Sequence, residues 1–375
     1  MLRAIVCVAL LLSLPRAAAP RVVVLETPLH GIQPQAVVDR TGVLHLIYFT
    51  GDPSHGDLSY VRRGPSQSAF SSPIRVNTES ASVLAIGSIR GGQLAVGRDG
   101  WIHVAWHSTP PVKGGLTQPA PLWYSRMRAS ARRFEPNREV GQDRRGMDGD
   151  AVAADDRGNV YIVWHAAGDI EGEAHRRVYV ARSRDDGAHF DPDRAIIDTG
   201  GACGCCGLRA AIDSRGRLNV LYRAAGDDVH RDAAWVSVGA SGPSAPVRLQ
   251  GWDLRACPMS MFALANDGPS VFGAWETEKQ IYSATLDPDR MTASVPVAVA
   301  GTGVRRLPSI AVNRSGQRLV AWTEDTAWAR GGTLAWQLLD AHGTTIASAA
   351  NAGDVPAWGL VSAVALPDGS FLIFR

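Results

Sequence analysis

Short apolar runs recur along this chain, each broken by a glycine-bearing turn, and no window sustains the 3.6-residue periodicity of an amphipathic helix. The repeating unit is an apolar strand, a tight turn and a second apolar strand that ends in an aromatic residue. Seven copies begin at Gln35, Gln93, Asp150, Arg209, Met261, Ser309 and Ser362. Their turn glycines are Gly42, Gly100, Gly158, Gly216, Gly268, Gly316 and Gly369, and their closing aromatics are Tyr48, Trp106, Trp164, Tyr222, Trp275, Trp322 and Phe374. Glycine supplies the positive φ that such hairpins need, and an Asp or Asn just before it can bond the turn backbone. Both sets of positions read as structural, because large rings buried between neighbouring units hold such an assembly together.

Successive closing aromatics are 58, 58, 58, 53, 47 and 52 residues apart. That period belongs to four-stranded blades rather than to helical solenoid units. Each of the first six copies is followed by another short aromatic strand, at Leu58, Leu122, Val178, Ala234, Ile281 and Leu334, which supplies the third strand of a blade. The seventh copy stops at Arg375 without one, while an unpaired β-rich run, RVVVLETP, starts at Arg21. The predicted fold is therefore all-β, a β-propeller of seven blades with six as the alternative, formed by residues 20–375 as one domain. The N-terminal strand is expected to join the C-terminal blade and close the ring, since closure removes strand edges that would template aggregation.

Composition narrows the partners. A chain of 375 residues with 45% hydrophobic content has ample material for a core, which excludes a disordered chain. The net charge is +2, and of 38 basic residues only Lys113 and Lys279 are lysine, with no basic run to track a phosphate backbone. Nucleic acid is not an expected partner. In residues 1–19, Arg3 precedes an apolar core from Ala4 to Leu14 and a small-residue stretch, the layout of a cleaved signal peptide. The expected location is secreted or periplasmic, and no later segment approaches the ~18 apolar residues of a transmembrane helix. Cleavage also removes Cys7 and leaves Cys203, Cys205, Cys206 and Cys257, an even number in an oxidising compartment.

One stretch, Ser183-Arg-Asp185-Asp-Gly187-Ala-His-Phe190, resembles the Asp-box repeat of bacterial neuraminidases, Ser-x-Asp-x-Gly-x-x-Phe or Trp, and falls between the third and fourth strands of its blade. Over nearly all of its repeat pattern the chain is similar to the sialidase-like propeller superfamily. In that family the box is a folding device on the face away from the active site. The resemblance implies a site with an arginine triad for a substrate carboxylate, a Tyr nucleophile paired with Glu, and an Asp acid/base, the first arginine standing in Arg-Ile-Pro. Nothing between Arg21 and Gln35 provides that tripeptide, and the nearest likeness is Arg306-Leu307-Pro308 in the sixth repeat.

Because strands alternate in direction, the inbound loop before each first strand and the outbound loop after each second strand share one face of the ring. Outbound ends carry His107, His165, Arg223, Glu276 and Glu324, and inbound loops carry Asp148, Asp150, Arg209, Arg305 and Arg306. Read functionally, this is a funnel. Asp148, His165 and Glu276 are the candidates for acid/base catalysis, and Arg209, Arg223, Arg306 and His107 for ligand contacts that grip an acidic sugar. Read blandly, the same residues are a solvated rim.

Cys203, Cys205 and Cys206 lie in the inbound loop of the fourth repeat and Cys257 in that of the fifth, so the four thiols are expected to meet on this face. One or two disulfides stapling the loops is the leading reading, with three full pairings open. A thiolate site for copper or zinc, completed by His165, is the alternative, and no other cofactor is expected. The function expected is an exported propeller that binds a glycan or an envelope or surface protein at the funnel. The enzymatic alternative is a sialidase-like glycoside hydrolase or lyase acting on acidic sugars.

Overall fold

The computed structural model describes residues 20–87, 89–108, 121–141, 148–227 and 229–375, and the expected signal segment at 1–19 lies outside them. Seven sheets follow one another along the chain, six of them antiparallel throughout and the last with one parallel pair. The third blade is typical: Asp148–Ala154, Val160–Ala166, Arg177–Ser183 and Arg194–Ala195 pair in that order. Among the described residues the only helical elements are three short 3-10 turns, and no helix is long and apolar enough to cross a membrane.

The last blade is built from both ends of the chain. Val22–Leu25 pairs in parallel with Phe371–Phe374, which pairs antiparallel with Ser362–Ala365. First strands of successive blades touch all the way round, including Ile32–Val38 of blade one against Ser362–Ala365 of blade seven. The ring is thus closed, and no inner strand edge is left open to another chain.

The repeat chemistry acts as the sequence predicts. All seven turn glycines have positive φ, from 71° at Gly100 to 108° at Gly268. Asp39, Asp155, Asp213 and Asn313 each accept two turn N–H groups through Oδ1. Seven apolar clusters fill the seven gaps between blades, and every closing aromatic sits in one of them. Burying such a ring removes some 150–250 Å² from water, so these residues dominate the cohesion of the ring.

The Ser183–Phe190 stretch folds as a local bracket. Ser183 Oγ accepts the Gly187 N–H at 2.9 Å and donates to Asp185 Oδ1 at 2.7 Å, while Asp185 Oδ1 also accepts the His189 N–H. Phe190 stacks edge-on against Tyr124 of the preceding blade, so this stretch fastens two blades together.

Candidate functional site

The inbound and outbound loops do share one face. Asp148, the first residue of its strand, is the register partner of His165, the penultimate residue of the next. A bulge between Asp148 and Asp150 reorients the strand, and Gly149 occupies its centre at φ 51°. A Cβ at residue 149 would stand 2.7 Å from His165 Nε2 and 2.8 Å from the Cys206 carbonyl oxygen, so only glycine lets these groups meet.

His165 bridges two blades. Its Nε2–H donates to the Cys206 carbonyl at 2.8 Å, and its Nδ1 accepts from Arg176 Nη2 at 2.9 Å, which defines a neutral imidazole. Burial, reinforced by the Arg176 charge, pushes its pKa down to about 4. Asp148 is ion-paired with Arg90 at 2.9 Å. Deeper in the ring, His107 Nε2 lies 3.5 Å from Asp150 Oδ1 with both side chains wholly buried. Burial pushes Asp150 up to about 8 against the opposing charge of Arg209, whose own pKa burial draws down to about 10.

The four cysteines gather as expected. Cys205 and Cys257 form a disulfide that ties the fourth and fifth inbound loops, with Cα atoms 6.2 Å apart. Cys203 and Cys206 are buried free thiols. Cys203 Sγ is 3.3 Å from both Cys205 Sγ and Cys206 Sγ, and Cys206 Sγ accepts from Ser260 Oγ at 3.3 Å. Burial pushes Cys206 up, but its hydrogen bond with Cys203, the Arg223 charge and Ser260 outweigh it and lower the thiol's pKa.

Arg223 lies beneath this cluster with only 1% of its surface exposed. Its guanidinium donates to Ser260 Oγ, to the carbonyls of Arg231 and Glu276, and to Thr277 Oγ1. Glu276, 2% exposed, accepts from Arg306 Nε at 3.2 Å, and burial lifts its pKa to about 7 against the Arg306 and Arg223 charges.

Arg306 reaches further out. Its Nη2 donates to the carbonyls of Pro258 and Met259, and among the described residues Nη1 takes no acceptor. It lines a small recess with Leu307, Thr326, Trp328, Arg330 and Trp358. The Trp328 and Trp358 rings meet edge to face at 4.6 Å, and Trp328 is 51% exposed. Three residues of this lining, Met259, Leu307 and Trp358, hold non-glycine backbone at φ 48°, 53° and 61°. Such strain persists only where surrounding structure imposes it, and it concentrates at functional sites.

The face is not the open funnel expected from the sequence. Ile89, Met261, Leu307 and Leu360, from four inbound segments, pack as a buried apolar plug over the axis. A cavity of about 200 Å³ lies in the channel and is lined by Arg209 among first-strand residues of all seven blades. The wider mouth, about 1240 Å³, opens at the hairpin turns of blades one to five. Large side chains on inbound loops fill a narrow axis, a packing outcome that residue type alone does not reveal.

The structure therefore sorts the candidates. His165, Cys206, Arg223 and Glu276 form one buried chain of contacts across blades three to five, with Asp148 at its start and Arg306 at its half-buried outer end. Buried His107 and Asp150 form a second group with half-buried Arg209 around the channel. The three arginines proposed as a carboxylate clamp do not share one open patch: Arg209 faces the channel, Arg223 is enclosed by protein acceptors, and Arg306 reaches the recess. Sequence reasoning missed Trp328, Trp358 and Ser260. The first two stand in loops outside the strand pattern, and a surplus aromatic there is the signal that could have found them.

No protein-family model matches the sequence, and neither does any curated protein. Solved structures do. A Hadza microbial sialidase superposes with TM-score 0.53 and 14% identity over 82% of this chain and 68% of its own. A protein of unknown function from Dyadobacter fermentans gives TM-score 0.53 and 14% identity, covering 82% of this chain and 94% of its own. A prolyl endopeptidase gives TM-score 0.51 and 13% identity over 90% of this chain but 45% of its own. At these identities the likeness is one of fold: the chain is similar to propellers whose activities differ widely.

Proposed function

We propose that this chain is an exported propeller that binds an acidic glycan at its inbound-loop face, with the recess between blades six and seven as the contact point. One observation carries the reading: the half-exposed Trp328 ring and the Arg306 guanidinium, whose Nη1 has no protein acceptor among the described residues, line the same strained recess. A pyranose ring stacks its apolar face on an indole, and a sugar carboxylate takes charge-assisted hydrogen bonds from arginine. Of the residues expected to perform acid/base chemistry, His165 and Glu276 lie under the surface and Asp148 is held in an ion pair with Arg90, which favours binding over hydrolysis. The sialidase among the structural neighbours is a glycan-directed propeller, and the Cys205–Cys257 disulfide accords with export.

The test is a glycan array carrying sialic acid and uronic acid termini beside their neutral counterparts. Acidic probes should be retained by the folded chain and lost on Trp328→Ala and on Arg306→Ala. Retention unchanged in both variants, or capture only of an envelope protein, would overturn the reading.

A further inference from the structure

Beyond any glycan role, the cysteine cluster holds more sulfur than a loop staple requires. One disulfide, Cys205–Cys257, already ties the fourth and fifth inbound loops. Cys203 and Cys206 add two buried thiols at the same point, and the Sγ atoms of Cys203, Cys205 and Cys206 all lie within 4.8 Å of one another. Cys257 Sγ is bonded to one of the three, so four sulfurs from two loops share one locus. Cys205, half-buried, gives that locus a path to solvent.

The surroundings are built for negative sulfur. Arg223 is enclosed, and each of its hydrogen bonds ends on a neutral oxygen: Ser260 Oγ, Thr277 Oγ1 and two carbonyls. Among the described residues no carboxylate stands within ion-pair distance of it, and the Cys206 sulfur, followed by the Glu276 carboxyl, is the group that answers its charge. Ser260 accepts from Arg223 Nε at 3.1 Å and donates its own hydrogen to Cys206 Sγ, so the hydroxyl conveys the positive field to the sulfur. Arg176 lies across the loop on the other side, its Nε 3.2 Å from where a Cβ on Gly204 would stand. The loop is held in place from outside by the Gly204 N–H to Glu173 Oε1 and the Cys203 N–H to the Arg223 carbonyl. Uncharged disulfides would leave Arg223 facing neutral sulfur, whereas an anionic metal–thiolate centre would set negative charge against it.

We propose that Cys203, Cys205, Cys206 and Cys257 in their reduced form bind one thiophilic d¹⁰ ion, Cu(I) or Zn²⁺. Opening the Cys205–Cys257 bond takes two electrons and two protons from an external dithiol, which leaves as its own disulfide. The ion then displaces the thiol protons to solvent as metal–sulfur bonds form. A tetrahedral Zn–S distance of about 2.3 Å sets sulfurs roughly 3.8 Å apart. The present 3.3 Å separations therefore widen by about half an ångström, a side-chain adjustment.

The experiment uses the full-length mature chain, reduced with a phosphine under anaerobic conditions and then titrated with Zn²⁺ or Cu(I). Native mass spectrometry should show one ion per chain, and Co²⁺ as a substitute should give the intense thiolate-to-metal absorption of a sulfur-rich tetrahedral site. Cys203→Ser should abolish stoichiometric binding, and Ser260→Ala should weaken it roughly tenfold through loss of the outer hydrogen bond. Because a cysteine variant can misfold, alkylation is followed in the wild type as well, where the bound ion should shield all four thiols. Two disulfides that resist reduction, absence of metal from the reduced chain, or alkylation at the same rate with and without metal would each overturn the proposal.

Discussion

His165 Nε2 donates to the backbone carbonyl of Cys206 across the junction between blades three and four, and it can do so because residue 149, pressed against both groups, has no side chain. The contact fixes the imidazole tautomer and locks the cysteine loop against the neighbouring blade. Gly149→Ala places a methyl group 2.7 Å from His165 Nε2 and asks a non-glycine residue to hold φ 51°. The expected cost is about 1–3 kcal/mol, read as a lower urea midpoint at unchanged m-value. A variant as stable as wild type would show that the bulge relaxes freely.

The buried Asp150 makes stability depend on pH in a defined direction. In the unfolded chain its carboxyl loses its proton near 3.8, whereas burial holds the proton to about 8 in the folded ring. Between these values the folded state binds one proton more than the unfolded state, so this group's contribution falls as pH rises. His103 and His165, drawn down to about 3 and 4 by burial, act in the opposite direction below 6.5. Asp150 is therefore isolated by difference. Asp150→Asn should gain stability relative to wild type by up to about 1.4 kcal/mol per pH unit from pH 5 to pH 8. Parallel melting-temperature profiles for the two proteins would refute the assignment.

On the far face, Ser183 is buried and its Oγ accepts the Gly187 N–H that closes the Ser183–Phe190 turn. Ser183→Ala leaves that donor without its partner, at a cost of about 1–3 kcal/mol. Thermal unfolding should report the loss while glycan retention at physiological temperature stays intact. A change in retention would link the two faces in a way the fold does not require.

The fold was legible because its determinants are local and repeated. A glycine forced to positive φ and an aromatic at the end of a strand announce themselves seven times over, and the unpaired run at Arg21 foretold the strand that closes the ring. The face shared by Asp148, His165, Glu276 and the cysteines followed from strand direction alone. Exposure was not legible. Arg223 and Glu276 are charged residues at strand ends, and nothing in their spacing shows that the Trp252 and Phe262 rings flank the Arg223 guanidinium or that Arg306 covers Glu276. The apolar plug is a tertiary event of the same kind, made by four residues distant in sequence.

The disulfide should carry a measurable share of the stability. Cys205 and Cys257 are 52 residues apart, and closing such a loop in the unfolded chain is worth about 4 kcal/mol on the chain-entropy estimate. Cys257→Ser should lower the unfolding free energy by up to that amount without reductant. With a dithiol present, wild type and variant should converge, and a persistent gap would place the cost in packing instead.

Glu276 should govern how strongly the recess takes an acid. Its carboxyl accepts from Arg306 Nε, and the charged groups around it are Arg306, Arg223 and, when ionised, Cys206. Burial sets its titration near pH 7. Below that pH the neutral carboxyl leaves the Arg306 charge available to a ligand carboxylate, and above it the ionised group competes for the same guanidinium and repels the ligand. Affinity for an acidic sugar should therefore fall up to about tenfold between pH 6 and pH 8. Glu276→Gln, neutral throughout, should match wild type at pH 6 and hold that affinity at pH 8, as calorimetric titration at the two pH values can measure. Neutral sugars should show no such dependence in either protein. If wild-type binding is flat across this range, the Glu276–Arg306 pair is a scaffold contact and the ligand's charge is met elsewhere.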